Sequence, residues 1–196
     1  MDGLFDMIKN SPVIGFEGFV FIAAIVGVSA FLTTYNKRSK GAVLIEQIKE
    51  LDKDTYHLIS DVSLDGIEHP IDHIVLSVYG VLIISRKVFK GNVYGSEADQ
   101  DWTIRRDNKV KTFANPLAEI EKNISKIATE LDVQERHIYP IVSFSNEVNL
   151  EVEQALIRNG KVCNYDSIGD AIKAHHTPQL AKTKVAELVE QLETDE

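Results

Sequence analysis

A carboxylate and an ammonium group are placed to meet at one end of the stretch Pro70–Gly91, PIDHIVLSVYGVLIISRKVFKG. Asp72 opens the first of two apolar runs, Ile71–Val78, and Arg86-Lys87 follows the second, Val81–Ile84. Tyr79-Gly80 between them is turn-forming, and the density of Val, Ile and Leu predicts a hairpin from the interior of a sheet. In an antiparallel pair the start of one strand lies beside the end of the next, so Asp72 and Lys87 fall at the same end. An acid there could hold Mg2+ or Mn2+, which would lower the pKa of a water, while the Lys attracts a phosphate. The competing reading is a pair of strand-end charges facing water.

The flanking elements must position this pair. Gly41–Leu51 has Leu44, Ile45, Ile48 and Leu51 on one helical face, and Tyr56–Val62 reads as a strand. Asp65-Gly66 marks the loop into the hairpin. His57, His69 and His73 lack the spacing of a helical metal pair, and strand alternation turns His73 away from Asp72. Beyond Lys87, Gly91 and Gly95 are expected as bends. Asp101–Arg106 and Val110–Phe113 are expected as strands joined by Asp107-Asn108, with Trp102 in the core. Asn115 then caps a helix whose first residue is Pro116. Leu117, Ile120, Ile124, Ile127 and Leu131 predict one continuous helix; its polar face, Glu119, Lys122, Asn123 and Lys126, meets either a phosphate backbone or only water. Ile138–Phe144 reads as a buried strand, Leu150–Arg158 as a helix, Lys161–Asn164 as a return to the sheet and Ser167–His175 as a short helix. Thr177-Pro178 is expected to open the last helix, where Val185, Leu188, Val189 and Leu192 either close the core or bind a partner protein's helix.

Length and charge bound the function. The 196 residues allow one ordinary domain plus an appendage, and the net charge of -9 excludes a general nucleic-acid coat protein. The acidity is uneven: Arg86–Lys111 carries seven basic residues against four acids, which points to a basic face containing Arg86, Lys90, Arg105 and Arg106. A single cysteine, Cys163, excludes an internal disulfide and the common zinc-finger spacings and suits a reducing compartment. The first residues form a separate unit. Gly18–Tyr35 is 18 residues without a charge; as a helix it spans about 27 Å, close to the hydrocarbon thickness of a bilayer. Lys37, Arg38 and Lys40 follow at once. They predict a single-pass anchor in the inner (plasma) membrane with its amino terminus outside and the domain cytoplasmic. A cleaved signal peptide is the rival, but its charges lie on the wrong side.

The run I-D-H-I-V-L-S-V-Y-G-V-L-I-I-S-R-K-V-F-K-G resembles the signature of the NERD (nuclease-related) domain, part of the restriction-endonuclease-like PD-(D/E)xK group. Trp102 in D-Q-D-W, Asn115-Pro116 before a helix and the apolar Ile141–Ser145 extend the resemblance, which covers roughly Lys40 to Ala174. It implies an α/β fold, a restriction-endonuclease-like mixed sheet flanked by helices, here preceded by one transmembrane helix. It divides the chain into an anchor and basic flank at 1–39, the domain at 40–177 and an amphipathic helix with an acidic tail at 178–196.

The departures from that family are equally informative. The family usually reads I-E-x-K at the end of the second strand, whereas this chain has Ile84-Ser85-Arg86-Lys87, with Ser85 in place of the metal-holding Glu. Lys40-Gly41 stands where a Gly-Glu pair is usual, and Glu119 where a Gln is usual. The resemblance therefore implies an incomplete catalytic set of Asp72 and Lys87, with Glu68 the candidate second acid for Mg2+ or Mn2+. The expected function is nucleic-acid binding with little or no cleavage. The alternatives are an active Mg2+-dependent endonuclease with a relocated acid, and a non-catalytic protein-interaction scaffold. The membrane expectation has a direct test: the full-length protein should stay in the pellet after alkaline carbonate extraction, whereas release into the supernatant would refute the anchor.

Overall fold

The structure is a computed structural model that describes residues 42–194, so the expectations at Gly18–Tyr35 and Lys40-Gly41 lie outside the described residues. A helix over residues 42–49 (α1) precedes β1 (His57–Val62), β2 (Ile71–Ser77) and β3 (Gly80–Lys87). Then come β4 (Gly91–Gly95), β5 (Asp101–Arg106), β6 (Lys109–Ala114), α2 (Pro116–Glu121) and α3 (Ile124–Glu130). The chain continues through β7 (Ile138–Phe144), β8 (Val148–Val152), α4 (Gln154–Arg158), β9 (Val162–Asn164), α5 (Ile168–Lys173) and α6 (Lys182–Thr194). No helix among the described residues is long and apolar enough to cross a membrane.

The α/β class holds, but the strands form two sheets rather than the single one expected. The first runs β1-β2-β3-β7-β9 and the second β6-β5-β4-β8. β1, β2 and β3 pair antiparallel, whereas β3 pairs parallel with β7 and β7 with β9, so the first sheet is mixed. Alternation along β2 and β3 feeds two cores. Val75, Leu82 and Ile84 pack with Leu44 and Ile48 of α1 and Ile168 and Ile172 of α5. On the other face Ile74, Leu76, Val81 and Ile83 join Leu117 and Ile120 of α2, Ile127 of α3 and Leu188 of α6. Trp102 is fully buried, stacked on Phe144 at 6.2 Å between centroids, and links the second sheet to this core. Cys163, on β9 of the first sheet, is buried in the core shared with α1 and α5; burial pushes its thiol up to about 12, which makes it a packing residue rather than a nucleophile.

Four local expectations are corrected, each for a physical reason. Gly91 and Gly95 are the ends of strand β4, not bends. A Cβ at Gly91 would strike the Arg105 carbonyl and one at Gly95 would enter the Trp102 ring, so both are close-approach positions. The helix from Pro116 is broken at Lys122-Asn123, although its apolar stripe is continuous. The Asn123 side chain donates to the Glu119 carbonyl at 3.3 Å while its backbone amide turns to Ile120 O at 2.9 Å, one residue short of the helical partner. Leu150–Val152, expected as the start of the helix Leu150–Arg158, instead belong to strand Val148–Val152, which alternates buried and exposed residues and pairs parallel with β4. Finally, α6 begins at Lys182 rather than at Thr177-Pro178, because the amides of Gln179 and Leu180 both donate to Val78 O and pin that segment to the β2–β3 turn.

The apolar stripe of α6 closes the core: Val185, Leu188 and Leu192 are buried with the residues of β1 and β2. Asn115 is the other fixed point. Its Oδ1 accepts from the amides of Leu117 and Ala118, and its Nδ2 donates to Glu97 O and Asp99 O, tying the β4–β5 loop to the start of α2. Replacing a helix cap costs about 1 kcal/mol, and orphaning buried partners adds to that. Asn115→Ala should therefore lower stability by about 2 kcal/mol, read as a fall in the urea midpoint with an unchanged slope.

Candidate functional site

The β2–β3 ladder ends where the site begins. Pairing runs from Ser77↔Gly80 to His73↔Ile84 and stops there, while β3 remains paired with β7 through Lys87↔Phe144. Continuing the register by one step sets Asp72 opposite Ser85. The Arg86 amide points toward β2 and donates to Asp72 Oδ2 at 2.7 Å, so a side chain accepts the bond that a strand carbonyl would otherwise take. Past that bond the strands part. A cleft of about 690 Å³ opens, and Asp72, Ser85 and Lys87 all line it. The sequence-based placement of Asp72 and Lys87 at one end of the hairpin is thus met in the geometry.

One wall of the cleft is the loop before β2, with Glu68 and His69; the other is the α2–α3 junction, with Glu119, Lys122, Asn123 and Lys126. Helix α2 rests on β3 and β7 through Leu117 and Ile120, and that packing carries Glu119 over the floor. Lys87 Nζ lies 3.2 Å from Glu119 Oε2, an ion pair with the lysine three-quarters buried and the acid half-exposed. Lys126 Nζ donates to Gly66 O at 2.9 Å, joining the two walls. Gly66 has φ of 72°, a turn geometry that glycine adopts without strain.

The model of the nuclease-related domain family (NERD) matches residues 38–145, more than half of the chain. The chain belongs to this family. It is also similar to an uncharacterized protein of Bacillus anthracis, 24% identical over 173 residues, which cover 85% of this chain and 81% of that protein. No solved structure matches the chain. Membership of the nuclease-related family points to work on nucleic acid.

The donor set is a poor fit to the divalent metal that nuclease-like domains commonly use. A hard cation rests on carboxylate oxygens in near-octahedral geometry. Here one Asp72 oxygen is bound by the Arg86 amide, Glu119 is held by Lys87, and position 85 offers a neutral hydroxyl. Glu68 is exposed on the rim. Among the described residues no group of three or more His, Cys, Asp or Glu side chains is placed to hold a metal ion.

The four other cations predicted from sequence are not gathered here; none lines the cleft. Arg86 alternates to the opposite face of the sheet from Lys87, where its charge bears on His73 and Tyr165. Lys90 pairs with Glu147 at 2.6 Å. Arg105 lies over the Tyr94 ring at 4.8 Å on the second sheet, and Arg106 meets Asp107 at 3.7 Å. His73 faces away from Asp72, as its strand position predicts; its Nδ1 is 2.8 Å from Ser60 Oγ and its Nε2 is buried without a partner. Burial first, then the Arg86 charge, hold that ring below the ordinary histidine range. The charge run Arg86–Lys111 misled because it spans two sheets and both faces of each. Lys122 and Lys126, on either side of the break between α2 and α3, do line the cleft.

Asp72 therefore has a structural task. Asp72→Ala should leave the Arg86 amide without a partner and cost about 1–2 kcal/mol. Asp72→Asn keeps an acceptor oxygen and should cost clearly less. Chemical denaturation of the two variants checks this, and equal losses would show that the bond contributes nothing.

Proposed function

We propose that this nuclease-related domain is held at the inner membrane by its amino-terminal segment, binds nucleic acid in the Asp72 cleft, and cleaves it little or not at all. One observation carries the reading: the acid that opens β2 faces Ser85, and one of its oxygens is already bound by the Arg86 amide. Hydrolysis of a phosphodiester by a metal nuclease needs a cation to generate hydroxide from water and to neutralise charge on the phosphate. With one uncommitted oxygen on Asp72 and a hydroxyl beside it, that cation lacks the ligands it needs. Lys87 attracts a phosphate oxygen, but a positive charge alone cannot make hydroxide. The remaining protein groups therefore bind and orient a strand without activating water. Tethering is supported by the uncharged Gly18–Tyr35 and the Lys37, Arg38 and Lys40 that follow it.

A second reading has an observation in its favour. Glu68 and Glu119 line the same cleft as Asp72. If Glu68 turned inward it would supply the missing carboxylate and restore a Mg2+-dependent endonuclease.

Cleavage of plasmid DNA and labelled RNA with Mg2+ or Mn2+ separates the readings. Wild type should stay at background, and Ser85→Glu should raise cleavage at least about tenfold, since even indirect metal partners change activity by that much. Adding Asp72→Asn to Ser85→Glu should return it to background. Strong wild-type cleavage that Asp72→Asn and Glu68→Gln each abolish would overturn the inactive reading in favour of the relocated acid. A wild type that neither binds nor cleaves any nucleic acid would leave the domain as a protein scaffold.

A further inference from the structure

The cleft contains a lysine-rich wall and an acid placed against it. Lys122 and Lys126 stand on the α2–α3 junction, and Lys87 reaches from the floor to Glu119 of α2. Each ammonium has three donors. Lys87 directs one to Glu119, Lys126 one to Gly66 O, and Lys122 makes no ion pair with a described residue. Three cations are balanced by three acids of the same lining, Glu68, Asp72 and Glu119. A polyanion approaching a cleft with no net charge gains little from long-range attraction. Of the three acids, only Glu119 touches a cation that a phosphate would need.

We propose that Lys87, Lys122 and Lys126 form the phosphodiester seat of this cleft, and that Glu119 occupies it in the absence of ligand. The proposal rests on the nucleic-acid reading above and adds the residues that hold the backbone and the acid that sets the threshold for binding. Glu119 Oε2 lies at 3.2 Å from Lys87 Nζ, where a phosphate oxygen would lie to receive the same donor. A strand entering between the loop at Glu68 and the α2–α3 wall displaces Glu119 from Lys87. It then meets Lys122 and Lys126 along the wall. The pair is partly exposed, so this exchange is a modest threshold and not a lock.

The site also separates two roles that a simple count of positive charges would merge. Cations on the cleft wall gain from the removal of Glu119, whereas Lys90, paired with Glu147 outside the cleft, does not. The gain must therefore pass through Lys87. Glu121 supplies the control, because it is an exposed acid on the same short helix that does not line the cleft.

The test measures binding of a single-stranded oligothymidylate and of pyrophosphate to the full-length protein over a range of salt concentrations. The variants are Glu119→Gln, Glu121→Gln, Lys87→Met and the Glu119→Gln/Lys87→Met double. Glu119→Gln should tighten both probes roughly two- to fivefold, the equivalent of a partly exposed ion pair. Its oligonucleotide salt slope should steepen by about 0.7, one further cation reaching the strand. Glu121→Gln, with the same change in net charge, should leave both affinities near wild type, and Lys87→Met should erase the gain in the double variant. Equal effects of Glu119→Gln and Glu121→Gln, or a gain that survives Lys87→Met, would overturn the proposal while leaving nucleic-acid binding intact. A Lys87-dependent gain for pyrophosphate without any oligonucleotide binding would keep the seat and reject the nucleic-acid reading. Failure of every variant to bind either probe would reject both.

Discussion

The hydrogen bond from the Arg86 amide to Asp72 Oδ2 is the interaction on which the rest of the site depends. It ends the β2–β3 ladder with a side chain in place of a carbonyl, and the strands separate beyond it. β3 does not follow the separation, because β7 holds it on its other edge as far as Lys87↔Phe144. The backbone of Lys87 is fixed further by its own carbonyl, which accepts from the Ser145 amide at 3.0 Å and from the Tyr165 hydroxyl at 3.3 Å. The cleft thus has a floor set by sheet pairing, one wall set by the packing of α2, and a second wall that is a loop. Rigid floors and adaptable rims are where binding residues are most often found.

That same bond shapes what the carboxylate can do. An oxygen that accepts a backbone amide is less available to a cation, and no neighbouring acid on the floor makes up the difference. The lysines are different in kind. Lys87, Lys122 and Lys126 can attract phosphate oxygens as point charges without any metal, and their attraction is limited by the three acids beside them. The proposal of backbone recognition without hydrolysis rests on these two features. Changing position 85 would alter the chemistry without disturbing the pairing of β3 with β7, since Ser85 directs its side chain into the cleft while its backbone stays in the ladder.

Much of this was legible in the residues. The two apolar runs around Tyr79-Gly80 gave the hairpin and the placement of Asp72 and Lys87. Asn115-Pro116 marked the start of α2, and Trp102 proved to be core. Two of the misreadings share a cause: local pattern does not say where the chain turns or which strand becomes the neighbour. Val148–Val152 has a two-residue alternation, but only the open edge of β4 makes it a strand. The break at Asn123 rests on a side chain competing for a backbone carbonyl, which an unbroken apolar stripe conceals. The basic run after Arg86 looked like one face because the turn of the chain from the first sheet into the second was invisible. The resemblance to nuclease-related proteins supplied the family and singled out Ser85, while the register of β2 against β3 sets Asp72 beside it.

The most direct test of the account is calorimetric titration of Mn2+ into wild type, Ser85→Glu, and Ser85→Glu carrying Asp72→Asn. The account predicts no saturable site in wild type, a new site in Ser85→Glu, and its loss when Asp72 is neutralised, because two facing carboxylates are what the cleft lacks. A saturable wild-type site that disappears in both Asp72→Asn and Glu68→Gln would contradict it.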